Sequence, residues 1–383
     1  MKILFTISYY YPYVSGLTIY VQRLAESLAS RGHRIEILTT QHEKKLSTKE
    51  MQSRVAITRA PFIFKFSKGF FMPGYMFKVI NMIKRNGILV VNLPQAEGFI
   101  SAITGKLMRK KVISIYHCEV VLPKSILNFF INNLLHILNS IVLLLSDKII
   151  TYTKDYADHS RVLPYFSKKL NFIYPPIPMP DTDFKITWKT KIPNQKYKIG
   201  VAARIAAEKG IEYLFEAIPY LEKKLGKTFV ILIAGPEKPV GEENYWNKIS
   251  PLIDKYRGYV VFLGSVNSEQ MGSFYSLIDL LVLPSVNSTE AFGMVQVEAM
   301  FCGVPVVASD LPGIRVPIKE TGMGELVNPK DTEDLADKII KVLTNKKKYV
   351  KNKKTLAKIF KLDDAINMYE KLFRSLDDIS IGE

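Results

Sequence analysis

The chain has 383 residues, with 53 lysines and arginines against 36 aspartates and glutamates, a net charge of +17 and a pI near 9.5. This length exceeds the size at which a single hydrophobic core stops growing, so two domains of about 180 residues each are expected. The two cysteines, Cys118 and Cys302, lie in apolar stretches. They exclude a disulfide framework and favour reduced thiols and a cytoplasmic location.

The charge is distributed unevenly along the chain. Residues 1–178 contain 24 basic and 9 acidic residues, a net charge of +15, which leaves only +2 for the remainder. Such asymmetry is typical of proteins that bind polyanions, including nucleic acid. The sequence contains no recognised base-reading motif, so a polyanion-binding protein is kept only as an alternative and no nucleic-acid partner is expected.

Apolar runs alternate with amphipathic stretches along both halves, which predicts parallel sheets wrapped by helices. The apolar run at Met1–Phe5 is too short for a signal peptide and is interpreted as part of the first strand. The predicted strands are 2–8, 34–40, 88–92, 111–116 and 147–151 in the first half, and 198–202, 229–234, 259–263, 279–283 and 304–308 in the second. A proline cluster at 175–180 marks a boundary between the halves. We therefore expect an N-terminal domain over 1–176, a linker over 177–196, a C-terminal domain over 197–365 and a C-terminal helix over 366–383 that returns to the N-terminal domain.

Two positions in the N-terminal half are candidates for ligand contact. Gly16 lies between the first strand and a helix, where glycine lets the backbone approach a phosphate at the helix N terminus. A plain turn glycine is the alternative. His117 follows the strand at 112–116, where a neutral imidazole can donate to a sugar hydroxyl. A packed core histidine is the alternative there.

Two further stretches bear on membranes. Residues 60–85 interleave seven aromatic side chains with five cations, a composition that suits the interface of an anionic membrane. The alternative is a strand plus an ordinary packed helix. Residues 126–145 are apolar but interrupted by asparagines and a histidine, and this predicts a core helix rather than a membrane span.

The C-terminal half supplies the charged candidates. Arg204 follows a predicted strand and Lys209 lies five residues later, so both are expected at the carboxyl edge of the second sheet, where they can grip phosphate oxygens. Glu290 and Glu298 flank a predicted strand-to-helix turn, with a helix expected over 291–302. The first is placed in the loop and the second on the helix. Free N–H groups at the helix start would add donors for a polyhydroxylated, phosphate-bearing ligand. A capping residue and a solvated glutamate are the alternative.

These residues resemble the family 4 retaining glycosyltransferases, which have the GT-B fold. The matching residues are Ala203-Arg204, Glu208-Lys209-Gly210, Ala234-Gly235-Pro236-Glu237, Asp279 to Ser285, Glu290-Ala291-Phe292-Gly293, Glu298-Ala299-Met300 and Gly303 to Ser309, and more loosely Gly16, Arg31-Gly32-His33 and His117. The resemblance implies two Rossmann-like parallel-sheet domains facing a central cleft. The N-terminal domain would bind the acceptor and the C-terminal domain the nucleotide sugar.

The resemblance also implies roles for particular residues. Arg204 and Lys209 would bind the donor diphosphate and stabilise the leaving nucleoside diphosphate. Glu298 would hold the ribose, and Glu290 with the backbone of Phe292 to Met294 would hold the sugar hydroxyls. The candidate catalytic residues are thus Arg204, Lys209, Glu290 and His117, and the donor-binding residues are Gly16, Gly235, Phe292, Gly293, Met294 and Glu298.

We expect no cofactor and no metal site, only a UDP- or GDP-linked sugar as substrate, because the sequence has no histidine cluster, cysteine pair or Asp-x-Asp ahead of a strand end. The expected activity is transfer of a hexose to a glycan or lipid-linked acceptor on the cytoplasmic face of a membrane. A GT-B epimerase or phosphorylase is the alternative within this fold. Two departures from the family pattern are a single glycine at Gly16 and the run 311–317, where the family commonly has Gly-Gly-x-x-Glu.

Overall fold

The computed structural model of the chain describes residues 1–66, 69–122, 125–184, 192–237 and 243–377. Three predicted features extend beyond this part of the chain: Lys68 of the 60–85 segment, residues 185–191 of the linker, and residues 378–383 of the C-terminal helix. The chain forms two compact units. The N-terminal unit consists of Met1–Pro176 and the segment that begins at Leu362, and the C-terminal unit is Ile177–Lys361.

The N-terminal unit is built on one eight-stranded sheet. Its elements to residue 172 are β1 Lys2–Thr6, α1 Gly16–Ser30, β2 Arg34–Thr40, β3 Lys49–Gln52, β4 Val55–Ala60, β5 Phe64–Phe66, β6 Gly69–Phe71, α2 Tyr75–Arg85, β7 Ile88–Leu93, α3 Gly98–Leu107, β8 Lys111–Tyr116, α4 Ile126–Leu145, β9 Lys148–Thr151, α5 Lys154–His159 and β10 Leu170–Phe172. The sheet order is β10-β9-β8-β7-β1-β2-β4-β3, and only β3 runs antiparallel to its neighbour. All five strands predicted in this half are present.

The C-terminal unit is built on a six-stranded parallel sheet in the order β13-β12-β11-β14-β15-β16. Its elements are β11 Tyr197–Ala202, α6 Ile211–Glu216, α7 Ile218–Leu225, β12 Phe229–Ala234, α8 Glu243–Lys255, β13 Val260–Gly264, α9 Met271–Leu277, β14 Leu280–Leu283, α10 Met294–Phe301, β15 Val306–Ser309, α11 Val316–Thr321, β16 Gly324–Val327, α12 Thr332–Thr344, α13 Lys346–Tyr349 and α14 Lys353–Ile359. Strands β12, β14 and β15 are buried along their whole length, which explains their continuous apolar sequences.

The last helix, α15 Leu362–Asp377, belongs to the N-terminal unit. Tyr369 is fully buried and its hydroxyl bonds that of Tyr20 in α1. At the end of α1, Arg31 pairs with Asp363 at 2.8 Å, and the His33 ring bonds Glu370 at 2.7 Å. The buried tyrosine contact and the surrounding charged pairs therefore hold α15 against α1, although more than 300 residues separate the two helices in the sequence.

The structure corrects the interpretation of residues 126–145. Helix α4 has the predicted bounds, but it buries only Asn139, Val142 and Leu143. Half of its fourteen large apolar side chains are exposed. Among the described residues, α4 is also the one helix with the length and composition of a membrane span. The prediction of a core helix is therefore wrong, and α4 is a surface helix.

The described residues of the 60–85 segment form two short antiparallel strands, β5 and β6, followed by α2. The Lys65 ammonium lies 5.9 Å from the centre of the Phe70 ring, which is itself buried. Other apolar side chains of this segment are exposed: Ile63, Phe64, Phe71, Met76 and Phe77. The segment is thus more than a strand with a packed helix, and its predicted membrane contact stays a prediction.

Candidate functional site

The candidate residues of the C-terminal unit lie where its sheet changes direction. From β11 the chain adds β12 and β13 on one side, and from β14 it adds β15 and β16 on the other. Ligands bind outside the carboxyl ends of strands at such a switch point, because the loops after the two central strands diverge there. The loop after β11 carries Arg204 and Lys209, and the loop after β14 carries Glu290.

A close backbone contact brings these two loops together. Gly210 is in the left-handed conformation (φ 62°), and a Cβ at this position would lie 2.2 Å from the carbonyl oxygen of Pro284. The Val286 N–H donates to the Glu208 carbonyl oxygen at 3.0 Å. Only glycine fits the first contact. As a result Lys209 Nζ donates to Glu290 Oε2 at 2.6 Å, and both side chains are about four-fifths buried.

Glu290 also binds the start of the next helix. Its Oε1 accepts from the Gly293 N–H at 3.0 Å, and Gly293 is left-handed with a φ of 73°. Helix α10 therefore begins at Met294 rather than at the predicted Ala291, because three residues are needed to turn the chain. The Glu290 carboxylate thus holds both an ammonium and one N–H of the helix start, where negative charge is favoured.

Arg204 lies in the same loop as Lys209, directly after β11. Its guanidinium donates to Glu208 Oε1 at 2.5 Å and remains over one-third exposed. Gly235, at the end of β12, packs directly on this turn, since a Cβ there would lie 2.0 Å from the Ala203 carbonyl oxygen. The two cations are therefore each paired with a glutamate and held at one edge of the sheet.

Glu298 lies on α10, as expected, and is buried. Its Oε2 accepts from the Tyr275 hydroxyl at 2.7 Å, and Tyr275 in α9 is fully buried. A carboxylate anchored in this way has a fixed direction. One turn later, burial raises the pKa of the half-buried Cys302 thiol to about 11, which disfavours its reactive thiolate form.

The backbone of the Glu290 loop is fixed by Gln296. Its Nε2 donates to the carbonyl oxygens of Phe292 and Ile314, at 2.9 and 3.0 Å. The Phe292 side chain is buried, whereas Met294 is half-buried. The second acceptor belongs to the run 311–317, in which this chain departs from the family pattern. That run therefore contributes a backbone contact to the loop.

In the N-terminal unit, Gly16 is the first residue of α1. The preceding Ser15 caps the helix: its Oγ accepts from the Thr18 N–H at 3.2 Å, and the Thr18 hydroxyl accepts from the Ser15 N–H at 2.7 Å. Gly16 itself is exposed and needs no special backbone conformation. Ser15, where the family usually has a second glycine, thus acts as a helix cap.

His117 follows β8 and is almost completely buried. Its Nε2 lies 2.9 Å from Asn92 Oδ1, and its Nδ1 lies 2.5 Å from the Tyr152 hydroxyl. The Tyr20 ring meets it edge-on at 4.8 Å. Burial lowers the pKa of His117 to about 3, so the ring is neutral at physiological pH. Both ring nitrogens are therefore engaged inside the unit.

Comparison with known proteins assigns the family. Residues 183–358 match the model for glycosyl transferases group 1, and residues 14–179 match the model for glycosyltransferase family 4. The chain is a family 4 glycosyltransferase. A glycosyltransferase of Methanocaldococcus jannaschii with no characterised function is 28% identical over 351 residues, covering 87% of this chain and 86% of that protein.

Solved structures bear out the GT-B fold of this family 4 glycosyltransferase. Sucrose-phosphate synthase from Thermosynechococcus elongatus is 19% identical, with a TM-score of 0.77 over 99% of both chains. Anabaena HepE, solved in complex with UDP-glucose, is 18% identical, with a TM-score of 0.77 over 98% of this chain and all of that one. At these identities the likeness concerns the fold.

The structure of this glycosyltransferase groups part of the predicted site. The second unit brings Arg204, Lys209, Glu290 and the 292–294 backbone to one sheet edge, with Glu298 one helix turn further along α10. Gly16 and His117 belong to the first unit. Sequence reasoning missed Tyr275 and Gln296, because their hydrogen bonds to Glu298 and to Ile314 join residues that are distant in the sequence. Among the described residues, no three His, Cys, Asp or Glu side chains are grouped so as to hold a metal ion.

Proposed function

We propose that this glycosyltransferase moves a hexose from a UDP- or GDP-linked donor to a glycan or lipid-linked acceptor, with retention of the anomeric configuration. The observation that carries the proposal is the Lys209–Glu290 pair at the switch point, with Arg204 beside it. Two cations and an N–H-lined helix start suit a diphosphate. The complex of HepE with UDP-glucose, a protein of the same fold, supports a nucleotide-sugar donor.

Donor binding would exchange the partners of the two cations. The diphosphate oxygens would replace Glu208 at Arg204 and share Lys209 with Glu290. Glu290 would then accept hydrogen bonds from the sugar hydroxyls, together with the 292–294 backbone. Glu298, directed by Tyr275, would accept from the ribose hydroxyls. In this account Gly235 matters by allowing the Ala203–Arg204 turn to pack closely on β12.

The proposed reaction is a front-face displacement. The bond from the anomeric carbon to the donor phosphate oxygen breaks, and the bond to the acceptor oxygen forms on the same face. The acceptor proton passes to a phosphate oxygen of the leaving nucleoside diphosphate. Arg204 and Lys209 stabilise the negative charge that develops on that group, which is the largest contribution we assign to the protein.

Two residues of the N-terminal unit complete the proposal. Gly16 would let the donor phosphate approach the start of α1, because it has no side chain and is exposed. His117 would meet the sugar only by giving up one of its present partners, Asn92 or Tyr152. We place the enzyme in the cytoplasm, at a membrane that presents the acceptor, with residues 60–85 at the lipid surface.

A panel of UDP- and GDP-sugars, assayed for transfer and for hydrolysis, tests the donor. Arg204→Ala and Lys209→Ala should each lower kcat by about a hundredfold, since one contact to a developing anion is worth about 3 kcal/mol. Lys227→Ala is the matched control, because this exposed lysine precedes β12 at the opposite sheet edge. Near-normal turnover of the Arg204→Ala, Lys209→Ala double variant would show that the site is wrongly assigned.

The stereochemistry and the alternatives need separate readouts. Proton NMR of the initial product distinguishes retention from inversion, and an inverted product would exclude the front-face reaction. An epimerase would convert the nucleotide sugar without an acceptor, and a phosphorylase would require inorganic phosphate. A polyanion-binding protein would instead bind oligonucleotides in preference to a nucleoside diphosphate.

A further inference from the structure

Helix α4 presents its apolar side chains to solvent. Five large apolar residues three, four or seven positions apart share one face, and each is more than half exposed: Leu127, Phe130, Leu134, Ile137 and Leu144. Their spacing is that of a single helical stripe, which in a soluble protein faces the core. Here the stripe faces away from the unit, and the helix contains no charged residue.

The opposite face of α4 carries three of its four asparagines. Asn128, Asn132 and Asn139 lie on the side of the helix away from the stripe, and Asn139 is 4% exposed. The side-chain oxygens of Asn132 and Asn139 are buried and have no hydrogen-bond partner within the described residues. Water-exposed helices of folded domains have the reverse arrangement. The amphipathic order of α4 is therefore inverted relative to an aqueous surface.

Neighbouring helices extend this apolar surface. Helices α2, α3 and α4 follow one another on the same side of the sheet, with α3 packed against both others. We call them the outer helical layer. Its exposed apolar residues include Met76 and Phe77 of α2 and Leu107 of α3, which is 80% exposed. Large apolar side chains exposed on three neighbouring helices point to an interaction site on this side of the unit.

Cations accompany the outer helical layer, and acidic residues do not occur in its helices. None of α2, α3 and α4 contains an aspartate or glutamate. Lys84 and Arg85 end α2. Lys169 donates to the Leu144 carbonyl oxygen at 2.6 Å and so caps α4. The surface is thus apolar in the middle, with cations at the C-terminal ends of α2 and α4, although Arg85 pairs with Glu36 and Lys106 of α3 pairs with Asp147. It belongs to a half of the chain that has a net charge of +15.

We infer that the outer helical layer docks on an anionic lipid membrane, with the α4 stripe in the boundary between headgroups and acyl chains. A second copy of the chain fits less well, because it would bring two positively charged rims together, whereas anionic headgroups complement them. At 1.5 Å per residue, α4 is about 30 Å long. It lies in the plane of the interface, since its polar face stays packed on the unit.

The docking places the membrane near one predicted site residue. Helix α4 follows β8, so its first turns, which carry Phe129 and Phe130, lie toward the same sheet edge as His117. The exposed Phe77 lies in the first turn of α2, at that edge as well. This inference supplies the membrane contact of the proposed function and rests on that function only for the idea of a lipid-linked acceptor.

Sedimentation with vesicles tests the docking. The parent chain should partition onto phosphatidylcholine vesicles that contain about one-third phosphatidylglycerol, and salt should weaken the binding. Changing Leu134, Ile137 and Leu144 together to serine should lower the partition coefficient at least about tenfold, because three side chains lose their apolar contact. These residues are exposed, so the fold should survive. Equal partitioning of the parent and this variant would overturn the inference.

A matched variant controls for general loss of apolar surface. Met51, Val350 and Met368 are also exposed but lie outside the outer helical layer, and changing all three to serine should leave partitioning within about twofold. Tryptophan at Ile137 should be quenched by lipids brominated on their acyl chains, whereas tryptophan at Met51 should not. Equal quenching at both positions would also count against the inference.

Two further measurements separate the possible outcomes. If the parent does not bind vesicles but dimerises in sedimentation, and the α4 variant is monomeric, the stripe is a self-association surface and the lipid inference is wrong. UDP binding, measured by calorimetry, should be the same in the parent and the α4 variant. A chain that binds vesicles but neither UDP nor GDP would refute the proposed function while leaving the docking in place.

Discussion

Acidification should destabilise the N-terminal unit through His117. Burial lowers the pKa of this imidazole from 6.5 to about 3. Between these values the unfolded chain binds a proton that the folded unit does not, so the free energy of unfolding falls as the pH falls. Each pH unit below 6.5 costs up to about 1.4 kcal/mol, which amounts to about 2 kcal/mol at pH 5. Above pH 6.5 the His117 contribution is complete.

The hydrogen bonds of His117 explain why protonation is unfavourable. Asn92 Nδ2 donates to the Thr6 carbonyl oxygen at 3.1 Å, so Asn92 presents its Oδ1 to the ring and accepts from Nε2–H. The proton is therefore on Nε2, and Nδ1 accepts from the Tyr152 hydroxyl. A second proton on Nδ1 would face this hydroxyl hydrogen in a site without water contact, so Tyr152 would have to turn.

Urea titrations at about pH 7.5 and about pH 5 measure the effect. Between these two pH values the free energy of unfolding should fall in both chains, but by about 2 kcal/mol less in the His117→Gln variant than in the parent. His159→Gln is the control, because His159 is exposed and its removal deletes the same kind of titrating group. Burial also lowers the pKa of His42 and His136, but these residues are common to all three chains. The same pH dependence in all three would refute the reasoning.

Further outcomes are expected at the C-terminal unit. Gly235→Ala should destabilise it, because the new Cβ would lie 2.0 Å from the Ala203 carbonyl oxygen; a urea titration that shows a loss below about 1 kcal/mol would contradict this. Tyr275→Phe should raise the donor KM several-fold with little change in stability, because Glu298 loses its 2.7 Å hydroxyl donor; an unchanged KM would count against the proposed role. Transfer should persist in excess EDTA, since we assign charge neutralisation to two cationic side chains, and activity restored only by Mg²⁺ or Mn²⁺ would contradict that assignment.

The central strands could be predicted because both of their faces are buried. β12 reads Phe229 to Ala234 without a polar residue, and all six positions are buried. β3, Lys49–Gln52, was missed because it is an edge strand with three exposed residues and one half-buried residue, so it lacks an apolar run. β10, Leu170–Phe172, was missed because it has only three residues at the other edge. A strand buried on both faces has a continuous apolar run that can be recognised in the sequence, whereas a short or exposed edge strand has no such run.

The residue types of the candidate site could be read from the sequence, but their pairing could not. Lys209 and Glu290 are 81 positions apart. They meet only because Gly210 packs against Pro284, and sequence spacing does not encode that contact. The start of α10 was misplaced for a related reason. The left-handed turn at Gly293 lets the Glu290 carboxylate cap the backbone, whereas periodicity alone extends the helix through Ala291.

For helix α4, amino-acid composition predicted the wrong environment, whereas the helical periodicity of its residues indicates which face is exposed. Its polar residues were taken as evidence for a core helix rather than a membrane span, because a span would avoid them. On a helical projection Asn128, Asn132 and Asn139 fall on one face, and Leu134 and Ile137 on the opposite face. Composition gives only the number of apolar and polar side chains in a helix. What the helix packs against depends on which face each side chain occupies. A helix that packs three of its four asparagines against protein and points Leu127, Leu134 and Leu144 outward requires an apolar environment on the outer side, and the cations at the helix ends favour lipid as that environment.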